Sequence, residues 1–220
     1  MEPSKRTQIA GQPPQRADYS HAIETAYRNY LFRSRLEAKW AAFFDLCGWP
    51  WSYEPLDMNG WIPDFAIGEH PVLVEIKPAF QDEHWTEAKT KIMQSGCDQP
   101  VLLLGADPTW RMKNIATADE SGAPPFGLMF DKFDRRENDD WYEEEVYFGF
   151  TEGNGRYGLC PLDGGWWNLI WKAPEDYHHP NKWSRVHPDS RDEDKPTAEE
   201  CAEIMWAQAC NASRWMPYER

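Results

Sequence analysis

The chain has 220 residues, 41% of them hydrophobic and 15% aromatic, with 13 Trp and a formal net charge of −14. That length supports one sizeable core with additions rather than two equal domains, and the aromatic content excludes a chain too polar to fold. No apolar run follows basic residues at the start and no 18-residue apolar stretch occurs, so neither signal peptide nor membrane span is predicted, and a cytoplasmic protein is expected.

The acidic average conceals an asymmetry. Residues 1–40 carry seven Lys/Arg against four acids, a balance of +3, and the remainder carries −17. Contact with a polyanion such as DNA is therefore expected mainly from the N-terminal arm and first helices. The five cysteines (47, 97, 160, 201, 210) are odd in number, widely spaced and without a CxxC, which predicts reduced thiols rather than a disulfide framework. His178, His179, His187 and Cys160 match no tetrahedral zinc spacing.

In chain order, residues 1–19 mix Pro, Gln, Gly and Ser with basic groups and lack periodicity, which predicts a flexible basic arm. From about His21 the chain is expected to turn helical. Leu36, Trp40, Phe43, Phe44 and Cys47 recur at helical spacing and define one apolar face, ended by Gly48 and Pro50. Trp51 to Pro55, Trp61 to Ile67 and Val72 to Lys77 then read as three antiparallel strands, broken by Asn59-Gly60 and by Gly68 to Pro71. Residues 82–95 read as a helix, and Pro100 to Leu104 as a wholly apolar strand suited to the middle of a sheet. Beyond Asp107, Phe126 to Phe130, Trp141 to Thr151, Arg156 to Pro161 and Trp166 to Trp171 read as strands between acidic or Gly-rich turns. Residues 172–196 read as irregular. Thr197 and Glu200 form a capping-box pattern that opens a last helix to about Ser213. The division expected is an arm (1–19), an α/β core (20–108) and a β-rich appendage with a C-terminal helix (109–220).

The hairpin around Gly68 to Pro71 fixes a register: Ile67 opposite Val72, Ala66 opposite Leu73, Phe65 opposite Val74, Asp64 opposite Glu75. Since strand side chains alternate, Ile62, Asp64 and Ala66 are expected to share a face with Leu73, Glu75 and Lys77. Directly opposed residues have Cβ atoms about 4.5–5.5 Å apart, and like charges so placed repel unless a cation lies between them. Mg²⁺ commonly takes one or two carboxylates plus waters and phosphate oxygens, which suits Asp64 and Glu75. Lys77 could orient or deprotonate an attacking water, or stabilise charge on a phosphate. Glu37 lies beside the apolar stripe of its helix, at the edge of the core, within reach of such a cation or its waters.

The run FRSRLEAKWAAFFDLCGWPWSYEPL, then WIPDF, then VLVEIKP, resembles the PD-(D/E)xK nuclease superfamily, in particular its stand-alone phage and bacterial members and the transposon-end-cleaving endonuclease subunit with its S-x-L-E helix. The resemblance covers roughly residues 30–108. It implies a restriction-endonuclease-like α/β core, with a mixed central sheet flanked by helices. It further implies an Mg²⁺- or Mn²⁺-dependent nuclease acting on DNA in a bacterial or phage-infected cell. The catalytic set would be Glu37, Asp64, Glu75 and Lys77, the metal ligands Asp64, Glu75 and Glu37. Arg33, Arg35, Lys39 and Lys91 are candidate phosphate contacts.

Each of these acids taken singly is more often a cap, an ion-pair partner or a solvated group. What favours a site is their joint placement, above all two same-face charges inside the apolar strand VLVEIKP, where burial without partners is costly. The second reading is an accessory protein that keeps the nuclease fold and works through a protein partner without catalysis. The −17 balance beyond residue 40 supports it, since such a surface repels DNA unless a partner delivers the substrate.

Overall fold

The structure, a computed structural model, describes residues 23–68, 72–79, 85–108, 126–132, 141–150, 157–161 and 198–213. The N-terminal arm, the strand expected at 166–171 and the irregular stretch 172–196 lie outside these residues.

The described chain opens with a short hairpin, β1 (Thr25–Tyr27) and β2 (Tyr30–Phe32). A helix was the expectation from His21, and the sequence there explains the difference. Thr25, Tyr27, Tyr30 and Phe32 favour an extended, half-buried ribbon, and Arg28 takes up the positive φ of 50° that the two-residue turn requires. The hairpin is fastened to the next helix through one acid. Asp45 accepts from the Tyr27 hydroxyl (2.8 Å) and the Trp51 indole (3.1 Å) and pairs with Arg28 (2.9 Å).

Helix α1 (Arg35–Cys47) follows, capped by Ser34, whose hydroxyl accepts from the Glu37 N–H, and closed by Gly48 in the left-handed region. The expected stripe is the buried one: Trp40, Phe43, Phe44 and Cys47 face the interior, and Leu36 is partly buried against it. Strands β3 (Trp51–Tyr53), β4 (Phe65–Ile67) and β5 (Val72–Ile76) are antiparallel neighbours, and the β4/β5 register pairs Ile67 with Val72, Ala66 with Leu73 and Phe65 with Val74, as the hairpin predicts. Strand β4 is shorter than expected. Pro63 has no N–H to give to a ladder, and Met58 to Trp61 close a tight turn instead. In consequence Ile62 is exposed, while Trp61 enters the core.

Helix α2 (Thr86–Gln94) leads to β6 (Val101–Leu104), which pairs parallel to β5 and is buried along its whole length, as its unbroken apolar run requires. Strands β7 (Gly127–Lys132), β8 (Trp141–Phe150) and β9 (Tyr157–Pro161) continue outward antiparallel, giving one mixed seven-stranded sheet in the order β3-β4-β5-β6-β7-β8-β9. Three of the four strands foreseen in an appendage thus extend the central sheet itself. Helix α3 (Ala198–Ala212) packs on α1.

The sheet is covered on both sides. One face, with Phe65, Val74, Ile76, Leu102 and Leu104, packs under α1 and α3, and the other, with Ala66, Leu73, Val101 and Leu103, packs under α2 through Trp85, Ala88 and Ile92. Gly127 sits where β7 crosses closest to β6: a Cβ there would stand 2.8 Å from the Leu103 carbonyl and 3.0 Å from a Leu104 methyl. Gly127→Ala is expected to lower stability by about 1–3 kcal/mol, the usual range for overpacking a rigid core, measured as a reduced urea midpoint. Among the described residues no helix is long and apolar enough to cross a membrane. Cys47, Cys97, Cys201 and Cys210 are free thiols.

Candidate functional site

Asp64 stands immediately before β4, on the α2 side of the sheet by alternation with Phe65, and Glu75 occupies that same side on β5. Burial of both is nearly complete, at 4% and 5% exposed. One Asp64 oxygen, Oδ2, accepts the backbone N–H of Ile76 at 2.7 Å, which locks the carboxylate across the hairpin beside Glu75. Glu75 Oε2 accepts the Trp61 indole N–H at 2.9 Å, and Glu75 Oε1 accepts from the Lys77 ammonium. Trp61 reaches this position because its turn is pinned to the end of α2 by the Asn59 amide on the Ser95 carbonyl (2.8 Å). Opposed carboxylates with the amine beside them are what the strand register implies, and the structure brings these three together.

Glu37 comes from the other side of the sheet, on the first turn of α1. Its Oε1 accepts from the Ser34 hydroxyl (2.7 Å) and its Oε2 from the Tyr53 hydroxyl (2.6 Å). It is buried, and it is linked to Asp64 through two residues: the Tyr53 hydroxyl that it holds also accepts the Arg33 N–H, and the Arg33 guanidinium pairs with Asp64. The cluster lies at the carboxyl end of the parallel pair β5 and β6, where the Lys77 N–H still bonds the Leu104 carbonyl (3.0 Å). In α/β sheets that end is the usual position for a ligand.

Two cations rim the acids. Lys77 is 40% exposed at its side chain, and Arg33, at 55%, pairs through Nη2 with Asp64 Oδ1 (3.2 Å) and through Nε with Glu54 (2.6 Å). Arg33 was expected as a phosphate contact, and the structure seats it on an acid of the cluster. Of the other three candidates, Arg35 is exposed on the first turn of α1, Lys39 lies 6.0 Å from the Trp206 ring, and Lys91 pairs with Glu87 on the surface. They are not part of the cluster. Tyr53, Ser34 and Trp61 escaped the sequence reading as carboxylate partners. The one available signal was Ser34 three residues before Glu37, a capping spacing that fixes the acid at the helix start.

The electrostatics follow from burial. Desolvation, then repulsion from Glu75, pushes the Asp64 carboxyl up to about 8, against the opposing pull of Lys77 and the Ile76 N–H. Burial works against the Lys77 ammonium, but attraction from Glu75, Asp64 and Glu37 outweighs it and keeps this pKa above the ordinary lysine value. Lys77 is therefore held as an ammonium that donates, and orienting or stabilising roles suit it better than that of a base. The Tyr53 hydroxyl, pushed up to about 12 by burial and by its bond to Glu37, likewise stays a donor.

A raised Asp64 has a consequence for stability. The unfolded aspartate releases its proton near pH 4 and the folded one near pH 8, so between these values the folded state holds the extra proton, and stability from this group is lost as pH rises. Asp64→Asn is expected to flatten the slope of melting temperature against pH from 5 to 8, read by thermal unfolding in metal-free buffer.

Two nearly buried carboxylates with a third acid near, all oxygen donors among the described residues, have the donor chemistry of a hard divalent cation. Each of the four oxygens of Asp64 and Glu75 already accepts one protein donor, which leaves one lone pair apiece. Among the described residues no three His, Cys, Asp or Glu side chains close around one point, so most of the coordination would fall to water and substrate oxygens. That is how Mg²⁺ is commonly held. No family model, curated protein or solved structure matches this chain.

Proposed function

We propose that the protein is an Mg²⁺- or Mn²⁺-dependent nuclease of the PD-(D/E)xK kind, built on a restriction-endonuclease-like core, that hydrolyses phosphodiester bonds of DNA. The observation that carries this reading is the convergence of Asp64, Glu75 and Lys77 on one side of a hairpin, with Glu37 beside them, at the carboxyl end of a parallel strand pair. Purely structural acids have no need to gather there, because burial of like charges costs free energy that apolar residues would not.

Asp64 and Glu75 would hold the cation, with Glu37 assisting at its waters. The cation, once bound, would supply charge neutralisation at the attacked phosphate. Lys77 donates from its ammonium to the phosphate oxygens or to the incoming water, and so stabilises the charge that accumulates as water adds to phosphorus, losing its proton to solvent, and the ester oxygen departs and takes one up from solvent. Trp61 and the Ile76 N–H hold the two carboxylates in place while this happens, and the Ser34 and Tyr53 hydroxyls hold Glu37. Such fixed partners reduce the reorganisation needed at the moment of reaction.

The test is incubation with DNA and Mn²⁺, in parallel with EDTA and with the Asp64→Ala and Lys77→Ala proteins. Cleavage by the wild type alone, abolished by the chelator, supports the reading, and equal cleavage by all three proteins sinks it.

The second reading, an accessory protein of nuclease fold that works through a protein partner, draws on one specific feature. Every oxygen of Glu37, Asp64 and Glu75 accepts a protein donor, so the cluster is satisfied internally. A stable partner in pull-down, together with no Mn²⁺ binding by calorimetry, would favour it.

A further inference from the structure

Arg33 is the least expected member of the cluster, and its geometry gives it a distinct task. It lies between the end of β2 and the cap of α1, where its backbone N–H is clamped by the Tyr53 hydroxyl at 3.1 Å, the same hydroxyl that donates to Glu37. The side chain is more than half exposed and divided between two carboxylates. Of the two Asp64 oxygens, Oδ2 is fixed by the buried Ile76 N–H, so Oδ1 is the oxygen turned to the rim. Arg33 occupies it.

A divalent ion held by Asp64 needs that same oxygen. A guanidinium and a dication on one carboxylate oxygen would stand within about 4 Å of each other, and like charges at that separation repel. Glu54 offers the guanidinium a second anchor. It is one-third exposed, already bonded to Nε at the shorter distance of 2.6 Å, and held in place by a backbone bond from its N–H to the Asp64 carbonyl. Glu54 also adopts a positive φ of 45°, an uncommon backbone state for a side chain of its kind, directly after β3.

We infer that Arg33 is a resident counter-cation that competes with the divalent ion for Asp64 Oδ1, and that it yields this oxygen on metal binding while Glu54 retains it at the rim. This deepens the metal-dependent reading above and rests on it. Without metal, Arg33 and Lys77 each hold one of the buried acids at the end of the sheet. With metal, Arg33 becomes a free fork of donors at the mouth of the site, the geometry suited to a phosphate.

The experiment is Mn²⁺ titration by calorimetry on the full chain, with thermal unfolding of the same proteins with and without Mn²⁺. Arg33→Gln is expected to bind Mn²⁺ roughly fivefold more tightly than wild type, the scale of a partly exposed ion pair. It should melt lower than wild type without metal and gain more on adding it. A merely structural role would lower both melting temperatures alike. Arg33→Lys, which keeps the charge, should return affinity to near the wild-type value, and Arg35→Gln, which removes a nearby exposed charge outside the cluster, should leave it unchanged. Unchanged or weaker binding by Arg33→Gln, or an equal gain from Arg35→Gln, overturns the competition while wild-type binding that is lost in Asp64→Asn leaves the metal site standing. Absence of any Mn²⁺ binding by the wild type overturns both.

Discussion

Lys77→Ala is expected to reduce Mn²⁺-dependent DNA cleavage by about 10²–10⁴-fold, the range for removing a positioned proton donor or charge-stabilising group. On the proposed function the loss should appear in kcat rather than KM, because the ammonium would act on charge that develops during the reaction and not on the bulk of the bound polymer. Lys77 is also the ion-pair partner of Glu75, so the substitution leaves a buried carboxylate with the Trp61 indole as its remaining described side-chain donor. A drop in the metal-free melting temperature should therefore accompany the loss, and Mn²⁺ should recover part of it. Lys77→Arg retains the charge and is expected to restore stability more fully than rate, since the guanidinium sets its donors at a different reach. Equal cleavage by wild type and Lys77→Ala, with circular dichroism unchanged, would remove Lys77 from the reaction.

Trp40→Ala should produce the largest change in stability, about 3–5 kcal/mol, the usual cost of deleting a fully buried large aromatic side chain. Against a total of about 5–15 kcal/mol for a domain, that loss leaves little reserve. Trp40 is fully buried, packs edge-on against Phe43 and Phe126, and lies with its ring centroid 4.8 Å from that of Trp206 on α3. Its indole N–H also reaches the Gly105 carbonyl at 3.1 Å, directly after β6. One residue thus ties α1 to α3 and to the carboxyl end of the sheet. Trp40→Phe keeps much of the ring but loses the hydrogen bond, and should cost less than the alanine variant in urea unfolding. Similar midpoints for both proteins would show that the indole N–H, not the volume, dominates.

How much of this was legible in the sequence depended on the range of the signal. The β4/β5 register could be read because a short Gly- and Pro-bearing loop leaves little freedom, and with it came the shared face of Asp64, Glu75 and Lys77. Helix α1 was legible from the period of Trp40, Phe43, Phe44 and Cys47, and from Gly48 at its end. The β1/β2 ribbon was misread as helix because nothing before Thr25 marks a strand start and the turn has no glycine, Arg28 and Asn29 making it instead. The continuity of the sheet was out of reach, since β6 meets β7 only across residues 105–126 and no local pattern reports such a pairing. The pairing of Arg33 with Asp64 was hidden for a similar reason: the residue reads as a phosphate contact, and its partner is 31 positions away. Side chains that serve the acids from a distance, Tyr53 and Trp61 among them, left no trace in spacing.

The direction of β5 and β6 carries one more consequence. Both strands end at the acidic cluster, and β7 starts from that end, since Leu128 lies opposite Leu103. The end of β6 and the start of β7 therefore lie at the rim of the site, and the β8 and β9 pairs beyond Val146, up to Phe150 opposite Tyr157, extend past that end. Among the described residues every rung joining β6, β7, β8 and β9 falls within the strands themselves, so the joins at this rim can vary in length and charge with that pairing kept. Variation there acts on the threshold rather than on the hearth.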